Sequence, residues 1–136
     1  MDQIELPDRL NRLSHDVIGC AIEVHRELGP GLLESVYEAA LCVEFESSGI
    51  EYAQQVSVIG EYKGMPLPPQ RIDLLVENML IVELKAVQSV NDIHLAQLVS
   101  YLRVANKPLG LLINFNDSTI KKGTFRRINS KATQKI

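Results

Sequence analysis

The segment RIDLLVENMLIVELKAV at residues 71–87 constrains the fold more strongly than any other part of the chain. Two short apolar runs lie on either side of Glu77-Asn78, which is the pattern of a β-hairpin. Asp73, Glu83 and Lys85 lie inside these runs, where a packed strand would prefer valine or isoleucine. Because most of their neighbours are apolar, both faces of the hairpin are expected to be buried, and the three charges need a physical explanation.

The segments on either side of the hairpin predict further helices and strands. Hydrophobic periodicity and breaker residues predict, in order, a helix at 7–28, a helix at about 32–48, a strand at 51–62, a turn at 63–69, the hairpin, a helix from Asn91 or Asp92 to about Val104, and a buried strand at 109–115. The segment TIKKGTFRRI alternates weakly and predicts an edge strand. The order ααβββαβ(β) indicates an α/β fold with a central mixed sheet, in one domain at 1–136.

The register of the hairpin decides whether the three charges share a face. Glu83 and Lys85 do, because residues two apart in a strand point the same way. A two-residue turn would pair Asp73 with Val82 and direct it away from Glu83, whereas a three-residue turn would pair it with Glu83. The sequence leaves both registers open.

Two chemical interpretations account for the charges in the hairpin. Two half-buried carboxylates repel each other unless a cation lies between them, and a hard divalent metal is the simplest such cation. A nearby lysine could then hold an attacking water or the charge of a phosphate. The alternative is that the same three side chains form a solvent-exposed cross-strand salt bridge.

Two helical motifs add polar residues that share a helix face. Glu34 lies in GLLESVY at the start of the second predicted helix, and Gln97 and Tyr101 lie in QLVSY on the third. Tyr37, three residues after Glu34, is expected in the core, from where it could also hydrogen-bond that carboxylate.

These elements together resemble the GxxExxY proteins of the PD-(D/E)xK nuclease superfamily. The motifs that carry the resemblance are Gly31, Glu34 and Tyr37 for GxxExxY, Asp73 followed by Glu83-Leu84-Lys85 for D…ExK, and Gln97 with Tyr101 for QxxxY. The resemblance runs from the first predicted helix to LGLLINF. Arg71-Ile72 replaces the proline that the superfamily name places before the aspartate.

The resemblance implies a restriction-endonuclease-like core and a metal-dependent nuclease that hydrolyses DNA or RNA. Asp73, Glu83 and the backbone carbonyl of Leu84 would coordinate Mg²⁺ or Mn²⁺, and Glu34 would bind the metal directly or through water. Lys85 would orient the attacking water or stabilise charge on the phosphate. The remaining motif residues, Gln97, Tyr101 and Tyr37, would position the substrate or brace the site.

Charge is distributed unevenly along the chain. Residues 1–117 hold all 17 acidic residues and have a net charge of −9, whereas residues 118–136 hold six basic residues and no acid. This basic C-terminal segment could contact phosphates or be a solvated chain end. The acidic body argues against broad nonspecific DNA binding, and no recognition module is evident. Sequence specificity would therefore require a partner protein or a homodimer, for which the predicted edge strand offers a surface.

Several classes of protein are disfavoured by the sequence. No apolar run approaches the roughly 20 residues needed to cross a bilayer, so no membrane association is expected. The acidic start MDQIELPDRL is unlike a signal peptide, and Cys20 and Cys42 are expected to be buried thiols, so a cytoplasmic protein is predicted. Two alternatives to a nuclease stay open. One is a catalytically silent nuclease-fold module that binds nucleic acid or protein, and the other is a structural dimer with a charged salt-bridge cluster.

Overall fold

The structure is a computed structural model that describes residues 6–133, so the first half of MDQIELPDRL and Lys135 of the basic segment lie outside the described residues. The elements are α1 (Asp8–Leu28), α2 (Glu34–Ser48), β1 (Tyr52–Val58), β2 (Glu61–Tyr62), β3 (Met65–Pro66), β4 (Gln70–Val76), β5 (Leu80–Lys85), α3 (Asp92–Ala105), β6 (Leu109–Asn114), α4 (Ile120–Gly123), β7 (Thr124–Ile128) and α5 (Ser130–Thr133). Apart from the shortest elements, the order is ααβββαββ, as predicted.

Five strands form one mixed sheet in the order β1-β4-β5-β6-β7. Strands β5 and β6 are parallel and are joined by α3, whereas the other neighbouring pairs are antiparallel. One apolar core lies between the sheet and α1 with α2, and a second lies between the sheet and α3. A mixed sheet flanked by helices confirms the predicted fold class and is consistent with a restriction-endonuclease-like core.

The long helices form where the apolar spacing predicts them. In α1 the residues at three- and four-residue intervals are buried, among them Leu10, Val17 and Val24. Helix α2 ends at Gly49, whose φ of 70° gives the left-handed C-cap that favours glycine. Helix α3 is capped by Asn91 in a capping box with His94, which confirms one of the two predicted caps.

The predicted strand at 51–62 and the turn at 63–69 are wrong in part. Strand β1 ends at Val58, and the following residues form a separate short hairpin in which β2 pairs with β3. Lys63 and Gly64 both have positive φ, so they supply a two-residue hairpin turn of the primed type. Pro66 is tolerated because it lies on a two-residue strand with no further neighbour in its sheet.

The segment TIKKGTFRRI contains a helical turn followed by a strand. Thr119 caps α4, because its Oγ1 accepts a hydrogen bond from the backbone N–H of Lys122 at 3.2 Å. Strand β7 then pairs with β6 at the edge of the sheet, which confirms the predicted edge strand.

Two further expectations concern burial. Cys20 and Cys42 are both free and buried, as predicted. Among residues 6–133, no helix has the length and apolarity required to span a membrane.

Candidate active site

The β4–β5 hairpin has the register of a three-residue turn. Val76 pairs with Leu80 and Leu74 pairs with Val82, so the side chain of Asp73 comes opposite Glu83. The turn residues Glu77 and Asn78 both have positive φ, and the N–H of Met79 donates to the carbonyl of Val76 at 3.0 Å. Of the two registers that the sequence leaves open, the structure adopts the one that brings both carboxylates together.

The backbone pairing of β4 is interrupted at Asp73 on both of its edges. The pairing of β4 with β5 ends at Leu74, and its pairing with β1 omits Asp73 and Gln55. Side-chain carboxylates accept the hydrogen bonds of backbone N–H groups here. The N–H of Asp73 donates to Glu83 Oε2 at 2.7 Å, and the N–H of Leu84 donates to Asp73 Oδ2 at 2.9 Å. Each carboxylate therefore accepts from a backbone N–H of the facing strand, which fixes the positions of both.

The position of Glu83 is electrostatically unfavourable for a charged carboxylate. Its side chain is only 7 % exposed, and burial raises the pKa of this carboxyl to about 8, with a further increase from the charge of Asp73. The backbone N–H of Asp73 and the charge of Lys85 lower the pKa, but they do not offset burial. A cation between the carboxylates would remove this penalty.

Lys85 lies at the end of β5 and is half-buried. It forms no salt bridge with Asp73 or Glu83. Within residues 6–133 the one salt bridge joins Arg26 and Glu23. The salt-bridge interpretation requires a direct bond from Lys85 to Asp73 or Glu83, so this observation counts against it.

Glu34 is brought to the end of β5 by the start of α2. Its Oε2 accepts a hydrogen bond from the N–H of Ala86 at 3.2 Å, directly after Lys85. The preceding loop is anchored where the N–H of Gly31 donates to Asn116 Oδ1 at 3.0 Å, and Gly31 has a φ of 101°, which favours glycine. The first residue of GxxExxY therefore shapes the loop, and the second reaches the end of the hairpin.

Tyr37 lies in the core rather than beside the Glu34 carboxylate. Its ring is fully buried and stacks on Phe115 with the ring centroids 4.4 Å apart. Its hydroxyl donates to the carbonyl of Gly29 at 2.5 Å and accepts from the N–H of Leu32 at 3.1 Å. Tyr37 thus braces the loop that leads into Glu34.

The two residues of QLVSY have different environments on α3. Tyr101 is buried, and its pKa is raised by burial and then by the charges of Glu83 and Asp73, so the ring lies near the carboxylates. Gln97 is exposed one turn earlier on the helix. The structure therefore places Tyr101 near the carboxylate pair and Gln97 at the surface of the same helix.

The sequence interpretation missed Gln55 and Glu38 beside Asp73. The amide of Gln55 donates to Glu38 Oε1 at 3.0 Å and lies 3.4 Å from Asp73 Oδ1. Gln55 has a φ of 51°, a conformation that a non-glycine residue seldom adopts in a strand. The signal in the sequence is the pair Gln54-Gln55 in a strand that is otherwise rich in β-formers.

Asn114 was also missed, although it ends the most apolar strand. Its buried side chain accepts from and donates to the backbone of Val87, at 3.0 Å in each case, and its amide also reaches Asp117 Oδ2 at 3.1 Å. The N–H of Phe115 donates to the carbonyl of Lys85 at 2.8 Å. Asn114 and its neighbour therefore clamp the backbone that carries Lys85.

The oxygen donors of Asp73, Glu83 and Glu34 suit a hard cation, although their side chains do not converge on one point. Asp73, Glu83 and Glu34 each engage one carboxylate oxygen with a backbone N–H. These oxygen donors and the unfavourable charge of Glu83 fit a divalent metal. Within the described part of the chain, no three acidic, histidine or cysteine side chains converge closely enough to hold a metal ion as they stand.

A family model described as the PD-(D/E)XK nuclease superfamily matches residues 11–128. This match covers most of the chain and contains the carboxylate pair, Lys85 and the start of α2. The chain belongs to the PD-(D/E)XK nuclease superfamily. Nucleases of this superfamily generally use divalent metals. No curated protein matches the chain.

Proposed function

We propose that this protein is a metal-dependent nuclease that hydrolyses phosphodiester bonds in DNA or RNA. The observation that carries the proposal is the pair of backbone hydrogen bonds that hold the Asp73 and Glu83 carboxylates beside each other at an opening in the sheet, where burial disfavours the charged form of Glu83. Membership of the nuclease superfamily supports the reaction class. Gly31, Glu34 and Tyr37 further support a place among the GxxExxY proteins.

Mg²⁺ or Mn²⁺ would be held by Asp73, Glu83 and the backbone carbonyl of Leu84, with Glu34 as a further carboxylate ligand. The bound ion would supply charge neutralisation at the phosphate and acidify a water. The protein groups hold the ligands in place: each carboxylate is oriented by a backbone N–H, and Gln55 restrains Asp73. Glu83 must lose its proton to act as a ligand, so metal affinity is expected to rise with pH.

Lys85 would stabilise charge at the phosphate or orient the attacking water. It lies next to the carboxylates, lowers the pKa of Glu83, and keeps its ammonium free of the salt bridges found within residues 6–133. Tyr101 and Gln97 would position substrate along α3. Tyr37 would act at a distance, by holding the loop before Glu34.

Part of the basic C-terminal segment lies at the same end of the sheet as Lys85. Lys121 and Lys122 are exposed on α4, which follows the end of β6, and β6 is bonded there to the carbonyl of Lys85. Cations at this end of an acidic protein would contact phosphates next to the cleaved bond. A homodimer or a protein partner would have to supply any sequence specificity.

The test is cleavage of single- and double-stranded DNA and RNA by the purified protein, with Mg²⁺ or Mn²⁺ and with EDTA. We expect metal-dependent cutting that Lys85→Ala abolishes. Lys131→Ala is the matched control and is expected to leave cutting intact, because Lys131 is exposed on α5, which follows the end of β7 where Ile128 pairs with Leu109, opposite the end that carries Lys85. Cutting that survives Lys85→Ala would refute the assigned site. The absence of cutting, with no Mg²⁺ binding by calorimetry, would favour the silent module.

A further inference from the structure

The β2–β3 hairpin carries exposed apolar side chains that the proposed chemistry does not use. Tyr62 and Met65 are direct partners across the hairpin, so their side chains share one face, and they are 62 % and 67 % exposed. We call this pair the Tyr62–Met65 platform. Ile59 and Leu67 at the base of the hairpin are exposed as well. A hairpin of two residue pairs is marginally stable in water, yet it leaves its largest apolar side chains unburied.

Two connections link this hairpin to the elements that carry the candidate site. Strand β4 begins at Gln70, four residues after the hairpin ends at Pro66, and Asp73 follows three residues later, about 10 Å along the strand. On the other side, the base of the hairpin packs on α3, where a Cβ built at Gly60 would lie 3.6 Å from Val104. Val104 follows Tyr101 by three residues, a rise of about 4.5 Å along the helix.

The charge around the platform favours an anionic partner. The ammonium of Lys63 lies 5.4 Å from the centroid of the Tyr62 ring, and Arg71 is exposed between the hairpin and Asp73. Lys63 and Arg71 outnumber the single acid, Glu61, in this segment, although the body of the protein is acidic. An exposed aromatic ring flanked by cations is the arrangement on which nucleic-acid bases stack while their phosphates are neutralised.

We propose that the Tyr62–Met65 platform binds the unpaired bases of a single-stranded segment of the nucleic acid, next to the bond that is cut. This inference rests on the proposed nuclease function. An unpaired strand is required because the base faces of a duplex are already stacked on one another. A primed turn at Lys63-Gly64 joins the two platform residues, and the N–H of Leu67 donates to the carbonyl of Gly60 at 2.9 Å at the base of the hairpin.

A second copy of the chain fits this surface less well. A standard protein interface buries about 800 Å² per partner and uses about 20 residues on each side, whereas the platform and its base offer four exposed apolar side chains. The cations beside the platform have no complementary acid in the same hairpin apart from Glu61. A stacked base needs only the ring and its immediate surroundings.

The experiment measures binding of fluorescein-labelled oligodeoxythymidine, oligouridine and a duplex of the same length, in EDTA so that no strand is cut. We expect the wild type to bind the single strands more tightly than the duplex. Tyr62→Ala is expected to weaken single-strand binding about 5- to 150-fold and Tyr62→Phe to retain it, because base stacking needs the ring and not the hydroxyl. Val43→Ala, which truncates a 60 % exposed side chain on α2, is the matched control.

A second variant reports stacking directly. The chain has no tryptophan, so Tyr62→Trp introduces a single indole whose fluorescence is expected to be quenched by the single strand but not by the duplex. Unchanged affinity of Tyr62→Ala or unchanged indole emission at saturation would overturn the inference, as would a dimer that Tyr62→Ala dissociates without affecting binding. If Lys85→Ala abolishes cleavage and Tyr62→Ala changes neither cleavage nor binding, the single-strand inference is refuted and the nuclease proposal stands. If the single strand binds and quenches the indole but no cleavage occurs, only the nuclease proposal is refuted.

Discussion

Glu83 makes the stability of the metal-free protein depend on pH in a defined direction. Its pKa is raised from an ordinary value of 4.5 to about 8, first by burial and then by the charge of Asp73. Between those values the folded protein holds a proton that the unfolded chain releases. The stabilisation is therefore complete below the unfolded pKa and is lost as the pH rises through the folded pKa.

The magnitude follows from the same two pKa values. Each pKa unit corresponds to about 1.4 kcal/mol, so a pKa that rises from 4.5 to about 8 corresponds to about 5 kcal/mol lost by pH 8. This loss is a large part of the 5–15 kcal/mol that is typical of a small domain. Because Glu83 is only 7 % exposed, solvent screening does not reduce the effect greatly.

The assay is urea unfolding followed by far-UV circular dichroism, in EDTA, at several pH values between about 5 and 8. Glu83→Gln keeps the shape and an acceptor for the N–H of Asp73 but cannot titrate, so the difference between wild type and variant isolates this carboxyl. Glu27→Gln is the control, because Glu27 is exposed, and it should follow the wild type. Parallel curves for wild type and Glu83→Gln would refute the reasoning.

Two further predictions concern the metal and the clamp on β5. Adding Mg²⁺ at about pH 8 should raise the thermal midpoint of the wild type, as a ligand of the folded state does, and Glu83→Gln should show a much smaller rise by circular dichroism. Asn114→Ala should lower the free energy of unfolding in urea by about 1–3 kcal/mol, because it removes two hydrogen bonds to the half-buried backbone of Val87. Asn114→Asp keeps the acceptor and should lose less.

The elements that the sequence predicted best are those in which local pattern and burial agree. The apolar spacing of α1 determines its buried face, and the uninterrupted run LGLLINF determines a strand that is buried along its whole length. The sequence overestimated β1 because Val and Ile continue to residue 59. The strand ends at Val58, and Gly60 lies against Val104 on α3, a contact between residues far apart in the chain that hydrophobic pattern does not reveal.

The sequence identified the charged residues of the candidate site, but not the hairpin register or the polar residues that hold those side chains in place. Asp73, Glu83 and Lys85 stand out because they are charged residues in an apolar hairpin. The hairpin register could not be decided, since it depends on the backbone conformation of Glu77-Asn78 and not on hydrophobic pattern. Gln55 and Asn114 have ordinary sequence contexts, and their partners belong to other strands or loops.

The arrangement at Asp73 explains why a buried sheet carries charge at all. Backbone pairing is interrupted on both sides of this residue, and two carboxylates replace the missing acceptors. Two apolar residues of similar size would remove the unfavourable charge of Glu83, so the carboxylates are a poor choice for stability alone. They are a good choice if a cation binds there. The closeness of the two carboxylates raises the pKa of Glu83 when no cation is bound, and the same closeness lets both carboxylates attract a cation that binds between them. The pH dependence of Mg²⁺ binding therefore tests whether Asp73 and Glu83 form a cation site, independently of any cleavage assay.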